Sequence, residues 1–166
     1  MSDPIGLTIS VSALVVSVVT ALRQQRASES SNAVTVILDV FREFRSPEMV
    51  KARRYVMQRL DPAVYDPCKG MDGLPADLKY QAIRISHFFD QLGVLVAHDL
   101  VSRDAIVGFL GGSVLSSWDK LSPYIRGDRQ VRNAEYQEYF EMLTNICGRD
   151  NPKSVLDRVR RRRTIL

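Results

Sequence analysis

Ile5 to Leu22 is a run of eighteen residues without one ionisable side chain, and nothing else in the chain restricts its folding as strongly. A helix of that length covers about 27 Å, close to the roughly 30 Å of a bilayer's hydrocarbon core. Ser2-Asp3-Pro4 in front of it supplies a capping oxygen and a proline suited to the first helical position. The run is therefore expected to be a minimal transmembrane helix. Thr8, Ser10, Ser12, Ser17 and Thr20 dilute its hydrophobicity, so a helix buried in a core or in an oligomer is the alternative. A cleaved signal is disfavoured, because Asp3 precedes the run and Leu22-Arg23 ends it, where basic residues and a small-x-small site are needed.

Arg23 and Arg26 follow the run and Asp3 precedes it. Basic residues next to a span stay in the cytoplasm, so the amino terminus is expected outside and the bulk of the chain inside, at an inner (plasma) membrane. Ala13, Ser17 and Ala21 recur every four positions, which puts three small side chains on one face where a second helix can pack closely.

The rest of the chain carries helical spacing and no period-two alternation. Ala33, Ile37, Val40, Phe41 and Phe44 form one apolar stripe. Ser46-Pro47-Glu48 restarts a helix striped by Met49, Ala52, Val56 and Leu60. Residues 61–76 hold Pro62, Pro67, Gly70, Gly73 and Pro75, too dense a punctuation for regular structure, and are expected to be one long loop. A central helix is expected from Asp77 to about Leu100, with Leu78, Ala82, Ile85, Phe89, Leu92 and Val96 on one face. Ser102 caps the next, which Pro123 and Gly127 are expected to end after a kink at Gly111-Gly112. Asn133 and Glu135 open a helix that Gly148 closes. The fold class is all-α: a transmembrane anchor over 1–24, a cytoplasmic bundle of five or six helices over 25–150, and a basic helix or tail over 151–166.

The net charge of +4 belongs to that tail. Residues 153–166 hold six basic side chains against Asp157, a surplus of five, so the remainder is close to neutral. Arg158, Arg160, Arg161, Arg162 and Arg163 are candidates for contact with anionic lipid or phosphate. No aromatic residue interrupts the arginine run and no base-reading module is present, so nucleic acid is the lesser expectation. Cys68 and Cys147 lie far apart outside any CxxC pattern and read as free thiols.

His87 and His98 are the only histidines. Eleven helical residues separate their rings by about 16 Å along the axis, too far for one metal ion. Asp90 sits three positions from His87, as in the Glu-x-x-His pairs of di-iron bundles, but no second pair exists elsewhere. The expected role of His87 and Asp90 is hydrogen bonding between helices. With no phosphate-binding loop, nucleophile elbow or HExxH motif either, no catalytic residue, metal or cofactor is expected.

At Arg53, at His87-Phe88-Phe89-Asp90-Gln91-Leu92-Gly93, and at Trp118, Pro123-Tyr124-Ile125 and Arg129, the chain resembles a bacterial family of membrane-associated helical proteins, the domain of unknown function 4760. The resemblance covers about residues 5–147, with Asp90 where the family's pattern leads one to expect Glu. It implies a helical fold and membrane association and transfers no catalytic role. Arg53, His87, Asp90, Trp118 and Arg129 are read as a partly buried polar set, since a charge taken from water must find a partner.

The expected function is that of a single-pass, membrane-anchored interaction or scaffold protein, not an enzyme, acting through its own copies or a protein partner. The alternatives are an oligomeric pore or membrane-disrupting effector, as in phage defence, suggested by the five hydroxyls of residues 5–22, and a soluble nucleic-acid-binding helical domain that uses the arginine tail.

Overall fold

The structure, a computed structural model, describes residues 34–132, 135–150, 154, 155, 157, 158, 160 and 161. The chain divides into two compact units, Met1–Leu38 and Asp39–Leu166. In the first, the described residues 34–38 are helical. The second consists of helices joined by short connections, with no strand among the described residues.

Its first helix, α1, covers residues 39–44 and brings Phe44 into the core. Ser46 then does what its position promises. Its Oγ accepts the Met49 N–H at 3.2 Å and Pro47 occupies the first turn of α2, Pro47–Arg59, whose buried face is Met49, Ala52 and Val56.

The stretch read as a long loop contains a 3-10 helix, Pro67–Gly73. Asp66 opens it by accepting the Cys68 N–H at 3.0 Å, and Gly70 bends it at φ +62°, a left-handed value that suits glycine. The Asp66 cap and the turn at Gly70 shape the ends and the bend of seven residues whose proline and two glycines lead one to expect a loop.

Helix α3, Ala76–Ala97, buries the expected stripe from Leu78 to Val96. It ends three residues early, in a Schellman motif: Asp99 takes φ 54°, its N–H reaches the Val96 carbonyl at 3.3 Å, and the Leu100 N–H reaches the Leu95 carbonyl at 2.9 Å.

Helix α4, Arg103–Arg132, starts where Ser102 Oγ accepts the Ala105 N–H at 3.4 Å. It runs unbroken through Gly111-Gly112 and through Pro123, both expected to interrupt it. An interior proline costs a helix about 3 kcal/mol, so packing must hold the last turns. Tyr124, Ile125, Gly127 and Asp128 are all buried there. Three side chains four residues apart also tie these turns to the 60–71 stretch. Lys120 Nζ donates to the Leu60 carbonyl at 3.4 Å, Tyr124 Oη donates to the Tyr65 carbonyl at 2.9 Å, and Asp128 Oδ1 accepts the Met71 N–H at 3.2 Å.

Helix α5 is Glu138–Arg149, beginning after Gln137 in the left-handed region and not at Asn133. Its core face is Phe140, Leu143, Thr144 and Cys147. Phe140 lies between the stacked ring of Phe89 at 5.1 Å and the edge of Trp118 at 5.0 Å, which joins α3, α4 and α5 in one aromatic cluster. The described C-terminal residues are helical and bury Val155.

The expectation of a membrane-spanning chain at an inner membrane is corrected: among the described residues no helix is long and apolar enough to cross a membrane. The two longest, α3 and α4, interleave charges with their apolar stripes, Lys79, Arg84 and Asp90 in one and Asp104, Lys120 and Asp128 in the other. Such helices cover a protein core on one face and leave the other polar. Residues 5–22, with Ala13, Ser17 and Ala21, lie outside the described residues.

Candidate functional site

The residues of α3 that do not enter the core make a second, polar stripe. Tyr80, Arg84, His87 and Gln91 follow helical spacing on the side turned from the Leu78 to Val96 face. They floor a groove of about 390 Å³ walled by Glu43 and Met49, with Ile83 and Phe88 as its apolar lining. Arg84 reaches Glu43 across it at 3.3 Å. A neighbouring cleft of about 330 Å³ shares His87 and Gln91 and adds Asp90, Glu135, Tyr136 and Gln137. The two together present rings, an ion pair and an amide along one edge of the bundle.

The residues singled out from the sequence divide between this edge and the core beneath it. Asp90 Oδ1 accepts the Phe140 N–H at 3.0 Å, so a side chain of α3 caps the start of α5. Arg129 holds the same turn from α4: Nε donates to the Tyr136 carbonyl at 2.8 Å, one terminal nitrogen to the Gln137 carbonyl at 3.3 Å, and the other to Glu141 at 2.6 Å. Trp118 supports Phe140 from below. Asp90, Trp118 and Arg129 thus converge on residues 136–141 from two other helices.

His87 does not join them in burial. It is exposed in the groove, where its Nε2 lies 3.4 Å from the Tyr136 hydroxyl. Arg53 stands apart from the others. Its guanidinium stacks 3.7 Å over the Phe44 ring and donates to the Phe44 carbonyl at 3.4 Å. Burial pushes its pKa down from the ordinary arginine value, and its Nε is buried with no hydrogen-bond partner among the described residues.

The arginine tail is not uniform. Arg158 is committed to carboxylates of the same chain, 2.8 Å from Asp104 and 3.2 Å from Asp150, and these hydrogen bonds hold its pKa above the ordinary value. Asp150 also pairs with Arg103 at 2.6 Å, so the clasp alternates in sign and docks the C-terminal segment on α4 and the end of α5. Arg161 is exposed, and Arg162 and Arg163 lie outside the described residues.

Tyr80, Arg84, Gln91 and Glu43 were not singled out from the sequence. Their signal was present in the polar stripe of α3, which any solvent-facing helix shows, so the pattern alone did not separate a groove from an ordinary surface. Among the described residues no three His, Cys, Asp or Glu side chains group in a way that would hold a metal ion. What the arrangement offers chemically is recognition: aromatic contact at Tyr80 and Phe88, charge at Arg84 and Glu43, and hydrogen bonds at His87 and Gln91.

No curated protein and no solved structure matches the chain. The model of one protein family does, over residues 7–147, which include α2, α3 and α4, all but the last two residues of α5, and the whole α3 edge. The protein therefore belongs to the family described as Domain of unknown function (DUF4760).

Proposed function

We propose that this protein is a non-enzymatic helical interaction module that acts by binding a second copy of itself, and that the α3 groove is the surface used. The observation that carries the reading is the pairing of exposed aromatic surface with both signs of charge in one groove. Tyr80 is 64% exposed at one end, and Glu43 and Arg84 cross the middle. Exposed tyrosine and arginine are typical anchors of protein interfaces.

A two-fold symmetric contact places the same patch on both partners, so it must be self-complementary. Glu43 and Arg84 satisfy this, because the pair within one copy can be exchanged for two pairs between copies. A surface pair of this kind contributes at most about 1 kcal/mol within the chain, which makes the exchange cheap.

The test is the solution mass of the full-length chain over a range of concentrations, measured by sedimentation equilibrium. A concentration-dependent dimer that is weakened by Tyr80→Ala, by Glu43→Arg and by Arg84→Glu, and restored by the double charge swap, supports the reading. A wild-type monomer at all concentrations refutes it, and the heterologous protein partner then takes its place. A dimer indifferent to all three substitutions moves the interface elsewhere on the molecule.

A further inference from the structure

The three side chains that tie α4 to the 60–71 stretch are not equivalent. Lys120 and Tyr124 donate to main-chain carbonyls, whereas Asp128 must accept. Its side chain is 3% exposed, and the Met71 N–H at 3.2 Å is its one hydrogen bond among the described residues. The space around it is filled. A Cβ on Gly70 would overlap the Asp128 carboxylate, and a Cβ on Gly127 would overlap the Pro67 carbonyl, so two backbones meet closely there.

The charged groups facing this carboxylate come from three elements. Arg132, on its own helix, brings Nε to 3.9 Å and is half exposed. Asp72 of the 3-10 helix adds a like charge, itself held by Lys79 of α3 at 2.5 Å and by Arg132 at 3.4 Å. Arg132 is therefore shared between two carboxylates, and Lys79 is turned to Asp72. An ionised Asp128 would be a charge almost out of water with one amide and half of one arginine for company, an expensive state. A protonated carboxyl keeps the acceptor that Met71 uses and removes the charge.

We propose that Asp128 is a proton-operated latch: in its neutral form it holds the Pro67–Gly73 segment on α4, and in its ionised form it lets that segment open locally. Burial pushes the Asp128 carboxyl above the ordinary carboxylate range, and the Met71 amide and Arg132 oppose that in part. The folded value being the higher one, the latch contributes fully below the unfolded value near 4 and loses its contribution as pH rises through the folded value. The segment is thus held more tightly in acid than at neutral pH, the reverse of what most paired carboxylates do. Local opening of this size is separate from global unfolding.

The experiment is amide hydrogen exchange on the full-length chain between pH 4 and 8, with each rate divided by the intrinsic rate at that pH, alongside a carboxyl carbon NMR titration of Asp128. The Met71 amide is expected to lose protection as Asp128 ionises, tenfold for each unit by which the folded pKa exceeds the unfolded one, and to stay less protected at every pH than the core Phe89 and Leu92 amides, as a local opening requires. In Asp128→Asn the Met71 profile is expected to be flat with pH. A flat Met71 profile in the wild type overturns the proposal, as does an Asp128 midpoint at or below about 4. Should Asp128→Asn not fold, the two wild-type measurements decide alone.

Discussion

Asp90 and Phe140 are fifty residues apart, and the carboxylate of one completes the first turn of the helix that carries the other. Phe140 is the third residue of α5, where an N–H is free by the geometry of any helix start, and Asp90 Oδ1 accepts it at 3.0 Å. The residue at the N-cap position, Gln137, gives no side-chain cap. The function of a local Ser or Asp has been transferred to a neighbouring helix, so capping and interhelical docking are one interaction.

Replacing Asp90 with alanine should therefore lower stability by about 1 kcal/mol, the usual cost of a lost cap, and loosen α5 first. Asp90→Asn keeps an acceptor and should lose less than half of that. Urea denaturation of the three proteins ranks them, and equal midpoints would show that the cap carries no weight.

Arg129 should matter more, because its planar fork serves two carbonyls and the Glu141 carboxylate at once. Arg129→Ala is expected to cost about 2 kcal/mol. Arg129→Lys restores the charge without the fork and should recover only the part due to Glu141. Thermal melts of both variants check the order.

Two glycines separate tight packing from open space. A Cβ at Gly93 would run into the Tyr139 carbonyl, where α3 touches the first turn of α5, and among the described residues nothing outside its own helical turn lies within 4 Å of a Cβ at Gly112. Gly93→Ala is expected to cost about 1–3 kcal/mol because a backbone must move. Gly112→Ala should raise stability by up to about 1 kcal/mol through helix propensity alone. Chemical denaturation should place the two on opposite sides of the wild type.

The thiols should differ in the native state. Cys68 is exposed, whereas Cys147 is buried beside Gly111 and burial pushes its thiol up to about 11. A thiol-reactive dye at pH 8 is expected to label one cysteine in the folded protein and two in denaturant, because the thiolate is the reactive form. Rapid labelling of both without denaturant would show that α5 opens readily.

Much of the bundle was legible because its determinants are local. The buried face of α3 follows from spacing, the start of α2 from Ser46 and Pro47, and the start of α4 from Ser102. The groove was less so. Tyr80, Arg84, His87 and Gln91 read as a solvated face, and only the placement of Glu43 and Met49 opposite them makes a groove.

The chain's own residue order determined that the fold is helical, which faces are apolar and where most helices begin, since side-chain periodicity and N-caps act within a few residues. Tertiary structure decided the rest. It carried α4 through Pro123, since burial of Tyr124 and Ile125 compensates a missing hydrogen bond. It ordered Pro67–Gly73, since Met71 finds its acceptor 57 residues away on α4. It sent Arg158 to Asp104 and Asp150 and left His87 in water. Each of these outcomes depends on a partner distant in sequence, and periodicity carries no information about such partners.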